Sequence, residues 1–106
     1  MIARNVTMRL KANSVAEFTR TLEKEIIPLL RKQKGFQDEI TFSVPGKPEA
    51  VGISFWDKQE NADAYSRGSY AEVLKALAKV LDGTPQVQTW DVCNSTVHKI
   101  AAAVAA

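Results

Sequence analysis

Five residues of this chain have side chains that could hold or orient a small organic molecule: Asn5, Trp56, Tyr65, Arg67 and Tyr70. An asparagine amide can donate hydrogen bonds to a substrate oxygen or to a developing oxyanion. Tryptophan offers an aromatic wall, and a guanidinium can clamp an anion. Each residue also has a structural interpretation, because aromatic side chains usually pack in a core, a surface arginine is usually solvated, and a strand amide can bond to neighbouring backbone.

Asn5 stands out among them because it falls within an alternating segment that is typical of a strand, where asparagine is disfavoured. Its neighbours on the same side, Ala3 and Thr7, are small. The sequence therefore predicts a space between a sheet and its covering helices, with Asn5 facing that space.

Cysteine and histidine occur once each, as Cys93 and His98. One cysteine excludes an intrachain disulfide, and a single chain cannot assemble a Cys/His zinc site from these two residues. No glycine-rich phosphate loop, Ser/His/Asp constellation or metal-spaced cluster occurs, so we expect no cofactor and no metal. Cys93 is expected to be a small buried side chain in the last strand, and His98 a solvated residue of the tail.

The bulk composition bounds the class of protein. A length of 106 residues fits a single domain. Its 14 basic and 12 acidic residues are spread along the chain without a basic stripe, so no nucleic-acid partner is indicated. No run is long and apolar enough for a signal peptide or a membrane span, so we expect a cytoplasmic protein with no membrane partner.

Hydrophobic periodicity predicts the order β-α-β-β-α-β, the ferredoxin-like α+β arrangement with two helices on one face of a four-stranded antiparallel sheet. Helix starts are predicted from possible side-chain caps at Ser14, Asp57 and Ser69. Pro28 should kink or end the first helix. The strands are expected over 2–10, 36–44 (with Phe36, Ile40, Phe42 and Val44 on one side), 50–56 and 86–96, within a domain of residues 1–97 followed by a tail of residues 98–106.

Both faces of the predicted sheet carry apolar side chains. In the third strand, Val51, Ile53 and Phe55 fall on one side and Trp56 on the other. Two helices can cover only one face, and a second apolar face usually marks an interface. We therefore expect a homodimer in which two sheets pair face to face.

Three segments carry a resemblance to a known family: PLLRKQKGFQDEITF, VGISFWDKQENADAYSRGSYAEVLKAL and VQTWDV. Over about residues 1–93 the chain resembles the antibiotic-biosynthesis-monooxygenase-like family of dimeric α/β barrels. That family includes cofactor-independent quinone-forming monooxygenases, haem-degrading enzymes, proteins that process signal molecules, and members without an established activity. The resemblance implies a dimeric barrel and leaves the activity open among these.

Some functional positions of the family can be compared with this sequence. Haem-degrading relatives use a first-strand asparagine, matched by Asn5, a helical tryptophan where this chain has Tyr65, and a haem-ligating histidine where it has Leu74. An alkyl side chain cannot ligate iron, so haem degradation is not expected unless His98 reaches the site. Many other members carry a histidine at the position of Tyr65, and a phenol with a pKa near 10 is a poor base at neutral pH.

The first functional hypothesis is a cofactor-independent monooxygenase that acts on a small aromatic or polyketide-like molecule. Asn5 and Tyr65 would be catalytic, and Trp56, Arg67 and Tyr70 would bind the substrate. The alternative is a non-catalytic dimeric α/β barrel that binds a hydrophobic small molecule. A lactone isomerase would need a proton shuttle that the sequence does not identify.

Overall fold

Strand β1 (Ile2–Arg9) lies inside the sheet and organises the fold. The computed structural model describes residues 1–98 and residue 100. The other elements in chain order are α1 (Val15–Thr21), a π-helical turn (Leu22–Ile26), α2 (Ile27–Arg31), β2 (Phe36–Ser43), β3 (Glu49–Trp56), α3 (Gln59–Arg67), α4 (Tyr70–Leu77) and β4 (Gln86–Asp91).

The four strands form one sheet in the order β2-β3-β1-β4, and every neighbouring pair is antiparallel. The helices cover one face. The core lies between the sheet and the helices, and its largest fully buried side chains are Trp56, Phe18, Leu10 and Val80. This is the predicted ferredoxin-like α+β architecture, which is confirmed. None of the helices in residues 1–98 has the length and apolar character needed to cross a membrane.

The helix starts differ from the prediction. No side-chain hydrogen bond caps the helices that follow Ser14, Asp57 and Ser69. The Ser14 hydroxyl instead donates to the carbonyl of Ala12, and the Asp57 carboxylate accepts from the Asn61 side chain at 2.8 Å. The predicted side-chain caps are therefore wrong, although the helices begin close to the expected positions.

Pro28 does not end the first helical segment. The chain passes from α1 through the π-helical turn into α2, where Pro28 lies in the first turn, and continues to Arg31. Pro28 has no N–H to donate, and the wider π-helical turn directly before it lets the helical path continue through this position. The segment ends at Gly35, whose φ of +82° favours glycine.

A β-bulge changes the faces of β2. The register shifts between Phe36, which is opposite Trp56, and Asp38, which is opposite Phe55. An extra residue reverses the alternation that follows it. Phe36 therefore faces the helices, whereas Ile40 and Phe42 face the other side, and the prediction that all three share one side is wrong.

Strand β4 ends five residues earlier than predicted. Asp91 is opposite Ile2, where β1 begins, so no partner strand remains for the residues that follow. The N–H of Val92 still donates to the carbonyl of Met1 at 3.0 Å, after which the chain turns. Cys93 lies beyond the strand and is exposed, so the expectation of a buried strand cysteine is wrong.

Candidate functional site

A small cavity, partly open to solvent, lies between the sheet and the helices. Its walls are mostly apolar, and six aliphatic side chains come from the helical layer: Leu22, Ile26, Leu30, Val73, Leu74 and Leu77. The π-helical turn contributes two of them. Such wide turns occur frequently at functional sites, where they adjust the side chains that face a ligand.

Arg4 brings a positive charge into this apolar space. The residue is only 4% exposed, and it lies on the inward side of β1 among Ile2, Val6 and Met8. The Arg4 Nε–H donates to the Ser66 hydroxyl at 2.9 Å. The guanidinium carbon stands 3.9 Å from the centre of the Tyr70 ring and 5.3 Å from that of Tyr65.

No carboxylate in residues 1–98 lies within 4 Å of the Arg4 guanidinium, and neither of its terminal nitrogens has a hydrogen-bond partner there. A buried charge is unfavourable unless it is paired or hydrogen-bonded. The two aromatic faces compensate for part of that cost. The remaining donors suit an anionic oxygen on a bound molecule, and a planar guanidinium can bind such an oxygen with two hydrogen bonds.

Tyr65 and Tyr70 form the aromatic part of the cavity wall. The Tyr65 ring stacks on Trp56, with 4.9 Å between ring centres, and its centre is 5.9 Å from that of Tyr70. Burial raises the pKa of Tyr65 to about 12, although the nearby Arg4 charge opposes part of this rise. The Tyr65 hydroxyl therefore stays protonated near neutral pH, where it can donate a hydrogen bond but cannot act as a base.

A row of polar residues crosses three strands at the same level of the sheet. Arg4 on β1 is opposite Ser54 on β3, which is opposite Glu39 on β2, and all three line the cavity. Burial raises the pKa of Glu39, and the charge of Asp38 adds to the rise, while a hydrogen bond from the Thr41 hydroxyl opposes it. The cavity thus holds a guanidinium and a partly buried carboxyl group.

Solved structures of other proteins share this architecture. The "putative antibiotic biosynthesis monooxygenase" of Bordetella bronchiseptica superposes with a TM-score of 0.73 at 16% identity, covering 86% of this chain and 95% of that chain. SnoaB, described as a cofactor-independent oxygenase from Streptomyces nogalater, gives 0.71 at 14% identity, covering 90% and 95%. A protein of unknown function from Nitrosomonas europaea gives 0.72 at 18% identity, covering 90% and 91%.

This chain has the antibiotic-biosynthesis-monooxygenase fold. The resemblance seen in the sequence is confirmed at the level of the fold, which is what similarities of this degree establish. No family model matches the sequence. No curated protein matches it either.

Within this monooxygenase fold, the five residues selected from the sequence separate into two groups. Tyr65 and Tyr70 line the cavity, as a substrate site requires. Trp56 is completely buried behind Tyr65, and its indole N–H donates to the Ser54 hydroxyl at 2.9 Å. Arg67 is exposed at the end of α3, outside the cavity lining.

Asn5 lies on the opposite face of the sheet. It alternates with Arg4 and Val6, which line the cavity, and it is opposite Ile53 on β3. The expectation that Asn5 faces a space between sheet and helices is therefore wrong, because the small residues beside it belong to the face that the helices do not cover. Arg4 is the inward residue that sequence analysis missed. The available signal was a charged residue at an inward position of an otherwise apolar alternation.

Two residues considered for haem chemistry lie far from each other. Leu74 lines the cavity, where it contributes an alkyl side chain. His98 lies on the other face of the sheet, half-buried, with its ring centre 5.4 Å from that of Phe55 and its Nε2 3.5 Å from an Asp38 oxygen. The expectation of a solvated His98 is wrong. In the described part of the chain, no three His, Cys, Asp or Glu side chains cluster closely enough to hold a metal ion.

Proposed function

We propose that this protein is a cofactor-independent monooxygenase that acts on a small aromatic or polyketide-like ketone able to ionise to an enolate or phenolate. The observation that carries the proposal is Arg4, a buried cation without a carboxylate partner in residues 1–98, facing an apolar cavity. The shared fold supports it, since one of the structural neighbours is described as a cofactor-independent oxygenase.

The chemistry requires an electron-rich substrate and no external reductant. A methylene group conjugated with a ketone loses a proton, and the resulting carbanion or enolate reduces dioxygen. One oxygen atom becomes the new carbonyl oxygen, and the other leaves as water with the two hydrogens of the methylene group. The protein needs to stabilise the anion and to keep water out, and both are favoured where a fixed charge lies in an apolar cavity.

The residues that line the cavity have different roles in this reaction. Arg4 binds the anionic oxygen, in place of Asn5, for which the sequence analysis predicted this role. Tyr65 donates a second hydrogen bond from its protonated hydroxyl, and Tyr70 lies under the guanidinium and holds it in place. The aromatic part of the cavity wall is formed by Tyr65 and Tyr70, and Trp56 is not among the lining residues.

The proposal includes a homodimer that works in the cytoplasm. The face of the sheet opposite the helices exposes large apolar side chains, with Phe42 54% and Trp90 55% exposed. Apolar surface of this kind usually marks an interface, and a second copy presenting the same face would cover it.

Oxygen uptake tests the function. The purified protein is mixed with anthrone- and quinol-type compounds in an oxygen electrode, and the quinone product is followed by absorbance. We expect consumption of one dioxygen per anthrone, faster than the rate without protein. Binding of these compounds without oxygen consumption would instead support the second candidate, a non-catalytic barrel that binds hydrophobic small molecules, which the apolar wall of the cavity also favours.

A further inference from the structure

The β-bulge in β2 determines which way Glu39 faces. Before the bulge, Phe36 is directed to the helices, and the shift at Gln37 makes Glu39 and Thr41 the inward residues after it. Bulges often re-aim a side chain next to an active site. A regular strand starting from Phe36 would have given this inward position to Asp38 and directed Glu39 away from the cavity.

Glu39 and Arg4 face the cavity from opposite sides of Ser54. Two strand spacings separate their backbones, roughly 10 Å, so the carboxyl group and the guanidinium can both reach one ligand. They form no ion pair with each other, which leaves the carboxylate available to accept a proton. The Thr41 hydroxyl donates to Glu39 and holds the carboxylate in place.

We propose that Glu39 is the general base that takes the proton from carbon in the ketone of the proposed function, whose acidic C–H is conjugated with the carbonyl across a ring. The C–H bond breaks, an O–H bond forms on Glu39, and the electron pair moves through the ring to the carbonyl oxygen beside Arg4. Release of the proton to water restores the carboxylate. The inference depends on the proposed function for the type of substrate, but the proton transfer itself needs no oxygen.

The charges around Glu39 agree with this role. Asp38 adjoins it in β2, and Arg4, Tyr65 and Tyr70 face the same cavity from β1, α3 and α4. Burial and the Asp38 charge raise the pKa of Glu39, which makes its carboxylate a stronger base than an exposed one. Arg4 binds the product anion, so the base and the oxyanion site are separate groups.

Anaerobic hydrogen exchange tests the inference independently of oxygenation. Anthrone is incubated in deuterium oxide without oxygen, and deuterium incorporation at its methylene carbon is followed by NMR. We expect the wild-type protein to accelerate exchange and Glu39→Gln to lower the protein-dependent rate by about 100-fold, within the range usual for general bases. Affinity for a phenolate probe, 1-naphtholate, should change less than threefold. Glu49→Gln, which removes an exposed carboxylate from neighbouring β3, is the matched control and should keep the wild-type rate.

A second variant distinguishes a base from a residue that only supports the fold. Thr41→Val removes the hydroxyl that lowers the pKa of Glu39, so the low-pH limb of the exchange rate should move to higher pH. The inference is overturned if wild-type protein gives no exchange, if Glu39→Gln loses less than tenfold, or if it loses 1-naphtholate binding to the same extent as exchange. Oxygen uptake that persists in such a case leaves the proposed function standing, whereas exchange without oxygen uptake contradicts only the oxygenase.

Discussion

At the scale of single residues, the proposed function depends on the positive charge of Arg4, which faces a mostly apolar cavity. Arg4 occupies an inward position of β1 where Ile2, Val6 and Met8 are its neighbours on the same side, and its only side-chain hydrogen bond within residues 1–98 goes to Ser66. Desolvation of a guanidinium is unfavourable for stability. We infer that a bound ligand offsets this cost by accepting hydrogen bonds from the remaining donors of Arg4.

Arg4→Met should therefore fold as well as the wild type while losing its ligand. Methionine has a similar length and no charge, so we expect the free energy of unfolding, measured in urea, to be no lower than wild type by more than about 1 kcal/mol. Affinity for an anionic phenol should fall. Arg31→Met, at an exposed arginine of α2, is the control for removing a positive charge. A strongly destabilised Arg4→Met protein would indicate a structural role instead.

Tyr65 should make stability depend on pH in alkaline solution. Its pKa is about 12 in the folded protein against 10 for the free side chain. The folded state therefore keeps a proton that the unfolded state releases, so the contribution is fully present below pH 10 and is lost as pH rises towards 12. The two-unit difference corresponds to about 3 kcal/mol.

Urea unfolding at pH 9 and pH 11.5 measures this loss. Tyr65→Phe has no hydroxyl to titrate, so its stability should fall less between the two pH values than that of the wild type. Tyr70 remains in both proteins and cancels from the comparison. Equal losses in the two proteins would show that Tyr65 titrates normally when folded.

At the scale of elements, the turn at Gly35, before β2, packs against the connection between β3 and α3. Gly35 ends the first helical segment with a positive φ, and its carbonyl accepts the N–H of Asp57 at 2.9 Å. A Cβ at Gly35 would clash with the Asp57 carboxylate and the Asn61 amide, which are bonded to each other. This contact fixes the start of β2, and therefore the bulge that follows, against the connection between β3 and α3.

Gly35→Ala should destabilise the fold by about 2–4 kcal/mol, because a left-handed backbone and a steric clash act together. Gly46 is a matched control, since its φ is also positive at +74° but nothing lies within 4 Å of an added Cβ. Gly46→Ala should cost only about 1 kcal/mol. Thermal unfolding by circular dichroism compares them, and equal losses would show that the Asp57–Asn61 contact is unimportant.

Periodicity predicted the order of strands and helices because both signals are local and repeated. The inward direction of Glu39 could not be predicted in the same way. It depends on one extra residue, Gln37, which has no partner in β3, and the pairing of β2 with β3 is not visible in the sequence. Asn5 was placed on the wrong face for a different reason, because alternation shows which residues of β1 share a side but not which side the helices cover. The positions of the candidate site were assigned by residue type, whereas the position of Arg4 follows from parity along β1.

At the scale of the whole molecule, one face of the sheet is covered by helices and the other carries exposed apolar side chains. Ile40, Phe42 and Trp90 are all more than 40% exposed. Counting apolar faces in the sequence anticipated this arrangement, because strand alternation is visible without knowledge of the fold. The second copy that would cover the face stays a prediction.

Phe42→Asp should convert the dimer to a monomer. A charge in an apolar interface is desolvated without a partner, and we expect the dissociation constant of the proposed dimer to rise at least 100-fold. Val15→Asp introduces the same charge at an exposed site in the helical layer and should leave the dimer intact. Sedimentation equilibrium measures both variants. A wild-type protein that stays monomeric at micromolar concentrations would rule out the dimer.

The claim that Arg4 stabilises an anion during oxygenation is tested most directly by dioxygen consumption with anthrone as substrate, compared among wild type, Arg4→Met and Arg31→Met. We expect wild type and Arg31→Met to consume one dioxygen per anthrone, and Arg4→Met to do so at a rate about 100-fold lower. Equal rates in wild type and Arg4→Met, or no consumption by the wild-type protein, would contradict it.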